Sequence, residues 1–169
     1  MSVDEILEES GTGKGQFYHY FKAKEGLIEA VIDNFDSFMK SADCPIKHDI
    51  QSWKDLETFL KYFIQATKGF DQPRACPMGM IGTGLDDDQS GLRDKINDVL
   101  DYSKSALIKF FNQAKKNGEF NQVVNSEMLA DFCQSMIQGG LVLAKIRKDV
   151  RPLENTVKHV LKYLKSLRA

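Results

Sequence analysis

Residues 2–32 read SVDEILEESGTGKGQFYHYFKAKEGLIEAVI, and the fold turns on how that stretch divides. Ser2 and Glu5 have the spacing of a capping box, in which the hydroxyl and the carboxylate each satisfy a free backbone N–H at a helix start. The helix they open carries Val3, Ile6 and Leu7, and Ser10-Gly11 stops it. Thr12 can cap a second short helix from Lys14 to about Tyr20, in which Phe17, Tyr20 and Phe21 fall at helical spacing and read as core. A break near Lys22-Ala23 precedes a longer helix with Leu27, Ile28, Val31, Ile32, Phe35, Phe38 and Met39 on one side. Two short helices joined by a glycine turn, the second bearing lysine, are the outline of a helix-turn-helix. Many unrelated helix pairs share that outline.

The same helical period continues outward. Asp43-Cys44-Pro45 should end the third helix, because the residue before proline disfavours helical backbone. The next runs from about Ser52 to Lys68, with Trp53, Leu56, Phe59, Leu60, Phe63 and Ile64 inward. Cys76-Pro77 opens a short helix, which the Gly82/Gly84 pair and the acidic loop Asp86-Asp87-Asp88 close. Ser90 to Asn117 is a long amphipathic helix capped at Gly118. Ser126 should cap the next, and Pro152 starts the last, where Leu153, Val157, Val160, Leu161 and Leu164 step by three and four. The expected fold is all-α, with about eight helices.

Composition narrows the function. Twenty-three basic and 24 acidic residues leave a net charge of −1, so no global excess points to nucleic acid or membrane. The distribution is uneven: residues 1–40 hold four lysines against eight acids, and residues 145–169 hold eight bases against two acids. Yet between Thr12 and Lys24 stand three lysines and no acid, a local positive surface inside an acidic segment. Three cysteines (Cys44, Cys76 and Cys133) without C-x-x-C spacing argue against a disulfide scaffold or structural zinc. No His, Asp and Glu cluster matches a metal site, and no cofactor motif is present. The string Gly11-Thr12-Gly13-Lys14-Gly15 mimics a phosphate loop, but the required glycine is replaced by Glu8 and the Ser/Thr by Gly15. With no long apolar run and an acidic start, the chain reads as cytoplasmic, with no membrane partner.

In detail the 2–32 string closely resembles the DNA-binding region of the tetracycline-repressor (TetR) family of bacterial regulators. Characteristic there are a glycine turn, a G-x-x-Y-x-x-F recognition helix and Lys-Glu at the next helix start. Gly15, Tyr18, Phe21, Lys24 and Glu25 stand in those places. The resemblance implies a helix-turn-helix domain over 1–40, with its linking helix, and a larger helical effector-binding and dimerisation domain over 41–169. Lys14 and Gln16, early and polar on the recognition helix, are candidates for base contact, and Thr12 for phosphate. Gly15 lets the backbone approach closely. By resemblance Tyr18 and His19 reach phosphate or base, and Lys24 holds a phosphate.

Family members carry a further helix ahead of the segment that begins here, so by resemblance the domain is incomplete at its N-terminus. Ile6, Leu7, Phe17 and Phe21 are then expected to be exposed. That leaves two functions open: a ligand-responsive regulator, usually a repressor, or a dimeric sensor or interaction protein that does not bind DNA in this form. The family also dimerises through its last two helices, here about Ser126–Lys148 and Pro152–Leu167, where Gly139-Gly140 permits close approach. A homodimer on double-stranded operator DNA, released by a small-molecule effector, is the partner set implied.

Phe59, Phe63, Met78, Met80, Tyr102, Phe110 and Met136 supply flexible apolar and aromatic surface for a lipophilic effector pocket, although such residues also build ordinary cores. Cys76 joins that set. At a helix start, near Arg74, a thiol can favour its reactive thiolate, so an electrophile sensor and an inert buried cysteine are both open. Cys76, His48 and His159 are the only hints of enzyme chemistry, and no spacing ties them into one site. No catalysis is expected.

Overall fold

A computed structural model describes residues 2–169. It contains eight α-helices among those residues: α1 (Val3–Ser10), α2 (Lys14–Phe21), α3 (Lys24–Lys40), α4 (Trp53–Lys68), α5 (Pro77–Gly82), α6 (Ser90–Lys116), α7 (Ser126–Arg147) and α8 (Arg151–Ser166). The only extended pairing among them is an isolated bridge between Phe120 and Arg168.

The start of α1 is the capping box read from sequence: the Glu5 N–H donates to Ser2 Oγ at 3.2 Å and the Ser2 N–H to Glu5 Oε2 at 2.5 Å. Those bonds to the charged form hold the Glu5 carboxyl below the usual range. Gly11 closes the helix in the left-handed region, at φ 65°. Other boundaries differ from expectation. Gly13 occupies the N-cap of α2 with no side-chain bond, while the Thr12 hydroxyl pairs with that of Ser10 instead. The third helix ends at Lys40, before Asp43-Cys44-Pro45, because Ser41 turns extended and its hydroxyl takes the Phe38 carbonyl. Asn125, not Ser126, caps α7: its carboxamide accepts from Glu127 and Met128, and Ser126 sits buried in the first turn.

Most of the core lies where α4, α6, α7 and α8 meet. Leu56 and Leu60 of α4, Phe111 of α6, Cys133 and Ala144 of α7, and Leu153 and Leu164 of α8 are closed to solvent. Each large apolar side chain so buried is worth about 1.5–3 kcal/mol. Trp53 stacks on Phe120 at 5.7 Å and meets Phe110 edge-on at 5.4 Å, sealing the end of the bundle. A second cluster joins Ile32 of α3 to Met78 of α5 and to Ile96 and Val99 of α6.

Gly140 shows where the last two helices spend their small residues. A Cβ there would lie 3.0 Å from Leu153 Cδ1 and 3.3 Å from Leu153 Cα, so Gly140 lets α7 and α8 close on each other within one chain. The inner apolar stripe of α8, Leu153, Val157, Val160, Leu161 and Leu164, is likewise buried inside the chain. Gly139 does face open space.

Two further positions set the N-terminal motif. Lys22, between α2 and α3, takes φ 58°, and the Phe21 carbonyl accepts from the Ala23 N–H at 2.6 Å. That same carbonyl oxygen would lie 2.1 Å from a Cβ on Gly26, so α3 can start here only without a side chain at that position. Gly26→Ala should therefore destabilise the α2–α3 junction by about 1–3 kcal/mol. Amide exchange across α2 should speed up in that variant. Gly15→Ala, with nothing within 4 Å of the added methyl and a better helix former in place, should not speed exchange and should if anything slow it.

Candidate nucleic-acid interface and ligand cavity

The helix-turn-helix reading expects a short helix with one buried and one displayed face, and α2 has both. Phe17 is 4% exposed and packs against Phe21 at 5.4 Å and Tyr18 at 5.3 Å. On the open side lie Lys14, Gly15, Gln16, Tyr18 and His19, with Lys24 following at the start of α3. Thr12 is half-buried. Lys14 Nζ pairs with Asp4 of α1 at 2.9 Å, and that hydrogen bond raises the ammonium pKa.

Two expectations change here. Leu7 and Phe17 are buried, and Ile6 and Phe21 half-buried, rather than exposed. Phe17 in particular is covered by aromatic neighbours on its own helix. Tyr20, read as core, is 68% exposed: on an eight-residue helix carrying four aromatics, spacing alone does not single out the inward ones. Its hydroxyl, absent from Phe17 and Phe21, was the available signal.

Behind this motif, α3, α4, α5, α6 and α7 line a cavity of about 300 Å³ that is partly open to solvent. Phe59 and Phe63 of α4 line it, as do Cys76 and Met78 at α5. The other four residues expected there do not. Met80 points out of α5 at 44% exposure, and Met136 lies on the outer side of α7. Tyr102 packs against His48 at 4.5 Å, and Phe110 is consumed by Trp53 and Phe111. Spacing alone missed Phe35, Phe38 and Met39, by which α3 contributes a wall, together with Cys44 and Cys133. Burial pushes the Cys133 thiol up to about 12, so it carries no thiolate at neutral pH. Cys76 is half-buried at the cavity wall.

The third helix is tied to the cavity domain by polar contacts as well as by Ile32. Lys95 of α6 reaches Asp33 at 2.7 Å and Glu29 at 3.0 Å, and Gln89 donates to Glu25 at 3.3 Å. Asp86-Asp87-Asp88 is exposed, and no metal-binding cluster occurs among the described residues. His159 is exposed on α8, whereas His48 is half-buried in the 41–52 connection.

His48 Nε2 lies 3.1 Å from Ser103 Oγ, and its ring meets Phe59 at 5.8 Å. Desolvation lowers its pKa below the ordinary 6.5, because burial penalises the imidazolium. Since the unfolded chain protonates first, the stability held by neutral His48 is present above about pH 6.5 and is lost as pH falls toward the lowered folded value. Thermal midpoints of the wild type should drop more between pH 7.5 and 5.5 than those of His48→Gln.

Two family models match the chain. "Bacterial regulatory proteins, tetR family" covers residues 1–31, and "Tetracyclin repressor-like, C-terminal domain" covers residues 53–160. The HTH-type transcriptional repressor NemR of Escherichia coli K12 is 25% identical over 171 residues, spanning 95% of this chain and 81% of that protein. The transcriptional regulator AcuR of Cereibacter sphaeroides is 23% identical, over 92% and 72% of the two chains. In structure, a TetR transcriptional regulator from Chloroflexus aurantiacus superposes with a TM-score of 0.79 at 20% identity, over 99% of this chain and 85% of the other. Reduced E. coli NemR gives 0.65 at 19% identity, over 100% and 87%. No helix among the described residues is long and apolar enough to cross a membrane.

Proposed function

The chain belongs to the TetR family of bacterial regulatory proteins, and on that premise we propose that it works as a homodimeric repressor released from operator DNA by a small lipophilic or electrophilic effector. The observation that carries this reading is the double use of α3. One end joins the lysine-bearing α2, and the other gives Phe35, Phe38 and Met39 to the cavity wall. An occupant of the cavity therefore presses on the element that aims the recognition helix.

In this reading residues 1–40 are the DNA reader and residues 41–169 the sensing and pairing domain. Lys14 and Gln16 meet base edges, Gly15 permits approach, and Thr12, Tyr18, His19 and Lys24 hold the backbone. Lys14 exchanges Asp4 for DNA on binding. Two copies would place α2 about 34–36 Å apart, one turn of the duplex. Pairing uses the outer side of α7, where Met128, Leu143 and Ile146 are exposed, beside Tyr163 of α8 packed on Phe132 at 5.2 Å. If the effector is electrophilic, Cys76 is the thiol at the cavity wall that it meets.

The test is fluorescence anisotropy with DNA from upstream of the gene, against scrambled DNA, over a salt series. Sequence-selective binding that weakens steeply with salt is expected. Lys24→Ala should reduce the salt slope by about one, and Gln16→Ala should cost about 1–3 kcal/mol on the preferred site alone. Ile146→Glu should yield monomers in sedimentation and weaken operator binding. Equal affinity for both DNAs would overturn the regulator reading in favour of a dimeric sensor that leaves DNA alone.

A further inference from the structure

The side chains lining the cavity include no aspartate or glutamate among the described residues, although 24 acids stand in the chain, and they include two cations, Arg74 and Lys104. Most of the polar lining is already engaged. Lys104 pairs with Asp131 at 2.5 Å, and Gln134 donates to the Leu100 carbonyl at 2.9 Å. Ser103 is bonded to His48, and Thr67 donates to the Phe63 carbonyl at 2.7 Å. Three groups are left over, the first being the Tyr62 hydroxyl, which makes no hydrogen bond among the described residues and lies on α4. The Arg74 guanidinium makes no ion pair or hydrogen bond among the described residues, and its central carbon lies 3.9 Å from the Phe70 ring centre. The Gln138 carboxamide is likewise without a hydrogen-bond partner there.

Arg74, exposed at the rim, and half-buried Gln138 belong to the α5 end of the cavity. Arg74 precedes Pro77 by three residues, and Gln138 Oε1 comes within 3.1 Å of the Cβ position of Gly79. Apart from those engaged polar groups and Tyr62 the wall is apolar, from Phe59 and Phe63 to Leu107 and Ile137. A site with an apolar interior, one unspent cation and one unspent carboxamide is complementary to an amphipathic anion. Carboxylate and guanidinium match as a two-pronged, charge-assisted pair.

We propose that the effector is an amphipathic carboxylic acid, its carboxylate held by Arg74 and Gln138 at the α5 end and its hydrocarbon body directed toward Phe59 and Phe63. This rests on the cavity being the effector site, and it names the chemical class that site takes. The acid binds as its anion, and no bond is made or broken. Neutral and cationic ligands of the same shape lose the pair and bind more weakly.

Calorimetric titration of the full chain with decanoate, decanol and decylamine tests this, with 4-phenylbutanoate as an acid of different body. Decanoate, phenylbutanoate or both should bind, and more tightly than the alcohol and the amine. Arg74→Ala should weaken the acid about tenfold or more and leave decanol unchanged. Arg74→Lys should recover part of the loss, and Gln138→Leu should weaken the acid less than Arg74→Ala does. Thermal melts of each variant separate lost binding from lost folding. If neither acid binds, if decanol binds as tightly as decanoate, or if Arg74→Ala leaves the acid unaffected, the assignment falls. Adding operator DNA separates the two readings. Arg74-dependent acid binding that leaves operator affinity unchanged supports the ligand class and defeats the release mechanism. Release by decanol without acid binding does the reverse.

Discussion

Ile32 is 1% exposed, held among Met78, Ile96 and Val99, and this one clamp fixes how the N-terminal motif sits on the larger domain. Without it, α3 would rest on the larger domain mainly through Phe35 and Met39 toward its far end and through exposed ion pairs. With it, the face that positions α2 and the face that walls the cavity belong to one rigid element. Helix packing is bistable rather than continuously deformable, so in the proposed release a bound molecule would displace such an element by repacking this contact. The ion pairs from Lys95 to Asp33 and Glu29 are exposed and screened by salt. They guide the orientation of α3 more than they secure it.

The helical framework was legible because its signals are local. All five residues read as the inner stripe of α8 are buried, and the Ser2–Glu5 capping box forms as spaced. Boundaries were less so where two neighbours compete for one role, as Asn125 and Ser126 do at α7. The carboxamide reaches two N–H groups there, and the serine goes inward. Gly26 carried no sequence signal, since the carbonyl it accommodates belongs to the preceding helix and is placed by the unusual backbone at Lys22.

The cavity was half legible. Periodicity finds residues that face inward, but not whether the space they face is filled. Phe59 and Phe110 both point into the bundle, yet only Phe59 borders empty volume, because Trp53 and Phe111 occupy the space beside Phe110. Met80 and Met136 show the reverse error, as flexible apolar residues that face solvent. The absence of acids from the wall was invisible to any linear reading, because the lining is drawn from five helices and two connections. Net charge near zero concealed it.

The two walls of the cavity are under different obligations. Phe35, Phe38 and Met39 lie on α3, the helix that Ile32 clamps to the larger domain and that carries the junction to α2. If the cavity is the effector site proposed above, a substitution there alters ligand preference and the geometry of the motif together. Phe59 and Phe63 of α4, and Gln138 of α7, have no such second duty toward the motif. Descendants of this sequence that acquire new ligands are therefore expected to accumulate their changes on α4 and α7, the side where chemical taste can drift without retuning the response.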